Sequence, residues 1–262
     1  MPEETPQSLG VAPYSSESYT VPASIRWGLP EATFTVVLTA TAGLVPLVLQ
    51  AMNLTAYSNP LDFVIDLVAY GSMLVIVLFA SHRRGLHRLS RDFGFSFHRI
   101  DLAIGAGLAL GNVLYISIVT GVLHNSGAMP PPIPADQRPL IYVVLLQGVV
   151  AVAIAPLIEE LVTRGLLMRS IRHSILRRHA KSARSARIAI NASIISSAAI
   201  FAALHLHEAD NPLAAVSIGV QTFIFGLVAG WIATRTGRLG PTIVAHTLYN
   251  AFVFAIAFSA RT

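Results

Sequence analysis

Seven stretches of this chain are long and apolar enough to cross a bilayer, at roughly 32–52, 61–80, 100–123, 140–163, 188–206, 213–234 and 240–259. A spanning helix needs about 20 mostly apolar residues, because the hydrocarbon core offers no water to backbone N–H and C=O groups. That requirement restricts the architecture more than any single motif does. It predicts an all-α, polytopic transmembrane helical bundle of about seven spans. The chain is 12% charged, about half the usual share of a soluble domain, and its mean hydropathy of +0.64 agrees. No internal repeat is visible, which argues against a transporter assembled from inverted halves.

The distribution of basic residues predicts the orientation. Of 18 Lys and Arg, 15 fall in the N-terminal tail and in the connections 81–99, 165–187 and 235–239. The alternate connections are nearly free of them. Basic residues concentrate on the cytoplasmic side of membrane proteins, so the N-terminus is expected to be cytoplasmic and the C-terminus outside. The net charge of +5 and pI near 10.0 are then a topology signature rather than a nucleic-acid footprint, and no nucleic-acid partner is expected. The basic segment 165–187 is also suited to lie on anionic lipid headgroups. With no cysteine in the chain, disulfides, thiolate nucleophiles and Cys-based zinc sites are excluded. Residues 1–30 are acidic and rich in Pro, Ser and Thr, and read as a disordered tail without the pattern of a cleavable signal.

Against this apolar background, "PLIEELVTRG" (Pro156 to Gly165) places three charges at the end of a span. An ionised side chain in mid-bilayer costs on the order of 2.5–3.5 kcal/mol on insertion scales, so such residues face a protein interior or a wet cavity. Glu160 and Arg164 are four apart with the acid first, the favourable order for an ion pair on one helix face. Glu159 points about 100° away, which leaves one carboxylate available for chemistry. A bland alternative puts all three at the cytoplasmic interface, snorkelling where the span ends. Of nine histidines only His205 and His246 lie in or at the ends of spans. His246 shares a helix face with Asn250, and Phe201 shares one with His205. Glutamate, two histidines and an asparagine can activate water and stabilise an oxyanion. Gly226 with Gly230, and Gly107 with Gly111, read as small-residue pairs permitting close helix contact.

The motifs Glu159-Glu160-Leu-Val-Thr-Arg164, Phe201-Ala-Ala-Leu-His205 and His246-Thr-Leu-Tyr-Asn250 occur in that order on three expected spans. In this the chain resembles the CPBP intramembrane proteases, which include the eukaryotic CAAX-prenyl endopeptidase and bacterial relatives linked to bacteriocin immunity. "RDFGF" (Arg91 to Phe95) is faintly similar to an upstream element of that family. The resemblance covers about 140–258, so the chain divides into a tail at 1–30, N-terminal transmembrane helices at 31–139 and a CPBP/CAAX-type protease domain at 140–258. It implies that Glu159 is the general base for a water that His205 helps to hold. It also implies that His246 and Asn250 stabilise the oxyanion, and that Glu160, Arg164 and Phe201 support them. The family is commonly called metalloprotease, which leaves zinc as an open cofactor with Glu159, His205 and His246 as a His₂Glu ligand set. Metal-dependent and glutamate-only routes both stand at this point. The implied partners are a peptide or protein substrate and membrane lipids, and the implied location is the cell membrane as a multi-pass protein. The rival readings are a non-catalytic membrane immunity or binding protein and a small ion-coupled transporter.

One geometric tension follows from straight spans. His205 lies near the far end of its helix, while His246 lies a few residues into its own from the opposite side. Such helices would hold the two roughly 15–20 Å apart in depth.

Overall fold

The computed structural model describes residues 21–52, 59–123, 139–179 and 182–259, and among these all regular structure is helical. The elements are α1 (Leu29–Ala51), α2 (Asn59–Arg84), the short α3 (Leu89–Phe93) and α4 (Ile100–Leu123). They are followed by α5 (Leu140–Arg178), α6 (Ala183–His205), α7 (Pro212–Thr236) and α8 (Gly240–Ser259). Six of these helices have the length and hydropathy to cross a membrane, and α1 contributes the shorter apolar stretch Leu29–Val45. About seven spans is consistent with that. The chain is a multi-pass membrane protein. Residues such as Phe34, Val68, Leu110, Ile118 and Val216 are more than half exposed. Lipid is the solvent that makes such surfaces stable.

Local chemistry sets the helix boundaries. Ser182 and Asn211 accept from the backbone N–H of Ser185 and Ala214 and so cap the starts of α6 and α7, the latter with Pro212 in the first turn. These side chains satisfy N–H groups that a helix start leaves unpaired. Gly94 and Gly237, at φ of 74° and 70°, end α3 and α7 in the left-handed conformation that glycine adopts without strain.

The arginine-rich segments meet at one end of the bundle. The N–H of Arg26 donates to the carbonyl of Arg84 (2.7 Å), and that of Leu239 to the carbonyl of Gly94 (2.8 Å). The Arg169 guanidinium donates to the carbonyl of Gly237 at 3.2 Å. Ion pairs Arg84–Glu31 and Arg238–Asp101 close the same layer. At its centre lies the buried carboxylate of Asp92, which accepts from Trp27 Nε1 (2.9 Å), Ser81 Oγ (2.7 Å) and the N–H of Leu86 (3.0 Å). Trp27 is itself fully buried against the rings of Phe93 and His173. The expected tail to residue 30 is therefore too long. Residues 1–20 lie outside the described residues, and the segment after them is packed, because Trp27 and Ile25 find an apolar seat there.

Close helix contact is made by small residues, though not all of those expected. A methyl on Gly226 would lie 2.8 Å from Ala198 Cβ, and one on Gly230 would lie 3.2 Å from Ile194. Their absence lets α6 and α7 touch. Gly107 and Gly111 do not have this role, since a methyl there would meet nothing within 4 Å. Gly105 brings α4 against α8 instead, its missing methyl replaced by Val244 and the carbonyl of Pro241.

Candidate active site

The two adjacent glutamates sit on a short α-helical stretch, Ala155–Glu160, inside α5. On either side the helix widens to π geometry, over Val143–Ile154 and Leu161–Leu167. Such widening is frequent at functional sites because the extra residue per turn re-aims side chains. The helix also continues well past Gly165, so neither glutamate lies at a helix end. Glu160 and Arg164 are buried in protein rather than snorkelling to a surface.

Glu160 and Arg164 form the ion pair that their spacing predicts, at 2.8 Å, with side chains 0% and 1% exposed. Arg164 also donates to Thr163 Oγ1 at 2.7 Å and lies over the ring of Phe201, 4.2 Å from its centroid. A second ring, Phe225 of α7, is 5.4 Å away. Cation–π contact of this kind is strongest in a dry setting. Thr163 in turn donates to the carbonyl of Glu159 (2.6 Å), and Ser197 of α6 donates to the carbonyl of Thr163 (2.9 Å). The pair is thus a buried brace joining α5, α6 and α7.

Glu159 behaves differently. Its side chain is 20% exposed, and Oε2 stands 3.9 Å from His205 Nε2 and 3.8 Å from His246 Nε2. Three helices deliver these groups to one place, so the depth separation expected from straight spans is absent. The start of α8 is held by the 94–101 segment, with Gly240 N–H donating to the carbonyl of Ser96 at 3.2 Å. His205 occupies the last position of α6, and its Nδ1 is 2.8 Å from the carbonyl of Phe201. A carbonyl only accepts, so Nδ1 donates there and Nε2 is the ring nitrogen turned to the site. His246 packs edge-on to Phe201 and Phe225, with its Nδ1 3.4 Å from Glu160 Oε1 but off hydrogen-bond geometry.

Asn250 is one turn from His246, but its amide donates to the carbonyl of Ala151 at 2.8 Å. It ties α8 to the π-helical part of α5, and of the two amide donors the second N–H is left for other work. Two residues that sequence reasoning missed complete the surroundings. Phe225 seats both Arg164 and His246. Tyr70 of α2 donates its phenol to Glu159 Oε1 at 3.1 Å. An aromatic residue in an apolar span carries no signal of such a role.

The two imidazole Nε2 atoms and one carboxylate oxygen are the donor types of a His₂Glu metal centre. Among the described residues no three such side chains form a ready-made ion cage. The two separations from Glu159 Oε2, 3.9 and 3.8 Å, exceed direct hydrogen-bond length and leave each imidazole within reach of a bridging water. Glu159, His205 and His246 are the residues that would hold an ion.

Residues 141–252 match a family model described as type II CAAX prenyl endopeptidase, Rce1-like. This segment is an Rce1-like domain. It contains all three motifs and every residue of the trio, and the expectation of a CPBP-type protease agrees with it. At a coarse level this match supports a CAAX-type membrane endopeptidase. No curated protein and no solved structure matches the chain. Tyr70 lies outside the Rce1-like domain.

Proposed function

We propose that the protein cleaves peptide bonds within the membrane with a water molecule held between Glu159, His205 and His246. The observation that carries this reading is the convergence of the Glu159 carboxylate on two imidazoles, at 3.9 and 3.8 Å, from three separate helices. Each would be costly in lipid unless used or paired. Glu159 takes a proton from the water, and the resulting hydroxide attacks the scissile carbonyl. The oxyanion is stabilised by His246 and by the second amide N–H of Asn250. Glu159 then returns the proton to the leaving amine, and a carboxylate and an amine result. The Glu160–Arg164 brace holds Glu159 in place without taking part.

Glu159, His205 and His246 would be the residues to hold a divalent ion such as zinc, which would supply carbonyl polarisation and a lowered pKa for bound water. The residues serve a glutamate-only route equally well. The substrate fits CAAX-type processing or the maturation and self-immunity of bacteriocins, and nothing in the residues requires a prenyl group. The site lies in the cell membrane, with the arginine-rich end of the bundle on the cytoplasmic side. A non-catalytic immunity protein is disfavoured by the intact trio, and an ion-coupled transporter by the lack of a visible internal repeat in the sequence.

The test is cleavage of a candidate peptide by the purified protein and by Glu159→Ala. Wild type is expected to turn over and the variant to be at background. Equal turnover in both removes the mechanism.

A further inference from the structure

The two oxygens of Glu159 have different neighbours. Oε2 faces the imidazoles of His205 and His246, while Oε1 accepts the phenol O–H of Tyr70 at 3.1 Å. Tyr70 is half-buried on α2, a helix outside the segment that carries the motifs. Glu159 has three side-chain torsions and its side chain is 20% exposed, so packing alone leaves its carboxylate free to turn about the last of them. A hydrogen bond at one oxygen removes that freedom and decides which oxygen meets the imidazoles. Holding a reacting group in one geometry is a source of rate, because a misplaced base must be reoriented in every turnover.

We propose that Tyr70 is a positioning residue for Glu159, and that the site is completed by a helix outside the Rce1-like domain. This rests on the proteolytic reading above. The phenol pins Oε1, so that Oε2 is presented to the water held by His205 and His246. No proton moves to or from Tyr70 in the reaction. The role requires a hydroxyl donor and not merely a ring, which separates it from ordinary packing.

The first measurement compares wild type with Glu159→Ala on a cleavable peptide, and its failure would count against proteolysis alone. The second compares wild type with Tyr70→Phe, which keeps the ring and removes the donor. The expected result is a kcat lower by about tenfold, the usual weight of one hydrogen bond to a charged group. KM should stay within about twofold and the melting temperature should be unchanged. A kcat within twofold of wild type overturns the proposal, as does a loss of activity that follows a lowered melting temperature. Ring-fluorinated tyrosines at position 70 keep the fold while grading the acidity of the phenol. A kcat that does not vary along that series also overturns it. One readout needs no turnover: the infrared band of the phenol C–O stretch, isolated by subtracting the Tyr70→Phe spectrum, should shift in Glu159→Ala. An unshifted band shows that the phenol does not donate to Glu159.

Discussion

Glu159 and Glu160 are neighbours in the chain, yet substitution should separate their roles completely. Glu160 and Arg164 are both out of contact with solvent, and removing one member of a buried pair leaves the other charge unpaired. Arg164→Met is expected to destabilise the protein by about 3–5 kcal/mol, read as a lowered melting temperature in detergent. The double variant Glu160→Gln, Arg164→Met should recover part of that loss, because no lone charge is left behind. Glu159→Gln should do the reverse. It keeps an acceptor for Tyr70 and leaves the melting temperature unchanged, while peptide cleavage falls to background. Chelation divides the two routes to the nucleophile: loss of cleavage on dialysis against a chelator, restored by added zinc, marks the metal route. Cleavage that persists with no metal detectable in the protein marks the glutamate-only route.

Helix contacts make predictions of another kind, since they set the distance between side chains that never touch. Gly226 faces Ala198, and a methyl there would also lie 3.5 Å from Arg164. Gly226→Val should push α6 away from α7 and carry Phe201 and His205 with it. A destabilisation of about 1–3 kcal/mol is expected from such overpacking, together with a loss of cleavage at temperatures where the protein is still folded. Gly107→Ala is the matched control, because the space beside it is open and alanine favours a helix. It should be neutral or slightly stabilising by thermal melting. The Glu160–Arg164 pair was legible beforehand because a four-residue spacing fixes neighbours within one helix. The choice of Gly105 over Gly107 and Gly111 was not, because it depends on where α8 crosses α4. The widening of α5 into π geometry had no signal in the apolar pattern either.

Across the bundle, the arginine-rich connections lie together at one end, held by the Asp92 carboxylate and the ion pairs around it. The natural chain has no cysteine, so single cysteines report topology directly. Ser90→Cys should react with a membrane-impermeant maleimide only after cells are permeabilised, and Asp210→Cys should react in intact cells. The opposite pattern reverses the orientation. The all-helical class, the number of spans and the alternation of basic connections follow from composition along the chain, because lipid admits few ways to satisfy a backbone. The identity of the three motifs was equally readable, being a matter of residue type and spacing. Their meeting was not. Straight spans place His205 and His246 far apart in depth, whereas the packed bundle, with the α8 start hydrogen-bonded to the 94–101 segment, brings them to the same carboxylate. Tyr70 and Phe225 reach the site from helices without a motif, and Asn250 turns out to be tied to Ala151. Spacing within a helix is a local property, whereas the stagger and tilt between helices come from many packed contacts at once, and a reaction site is made of the second kind of distance.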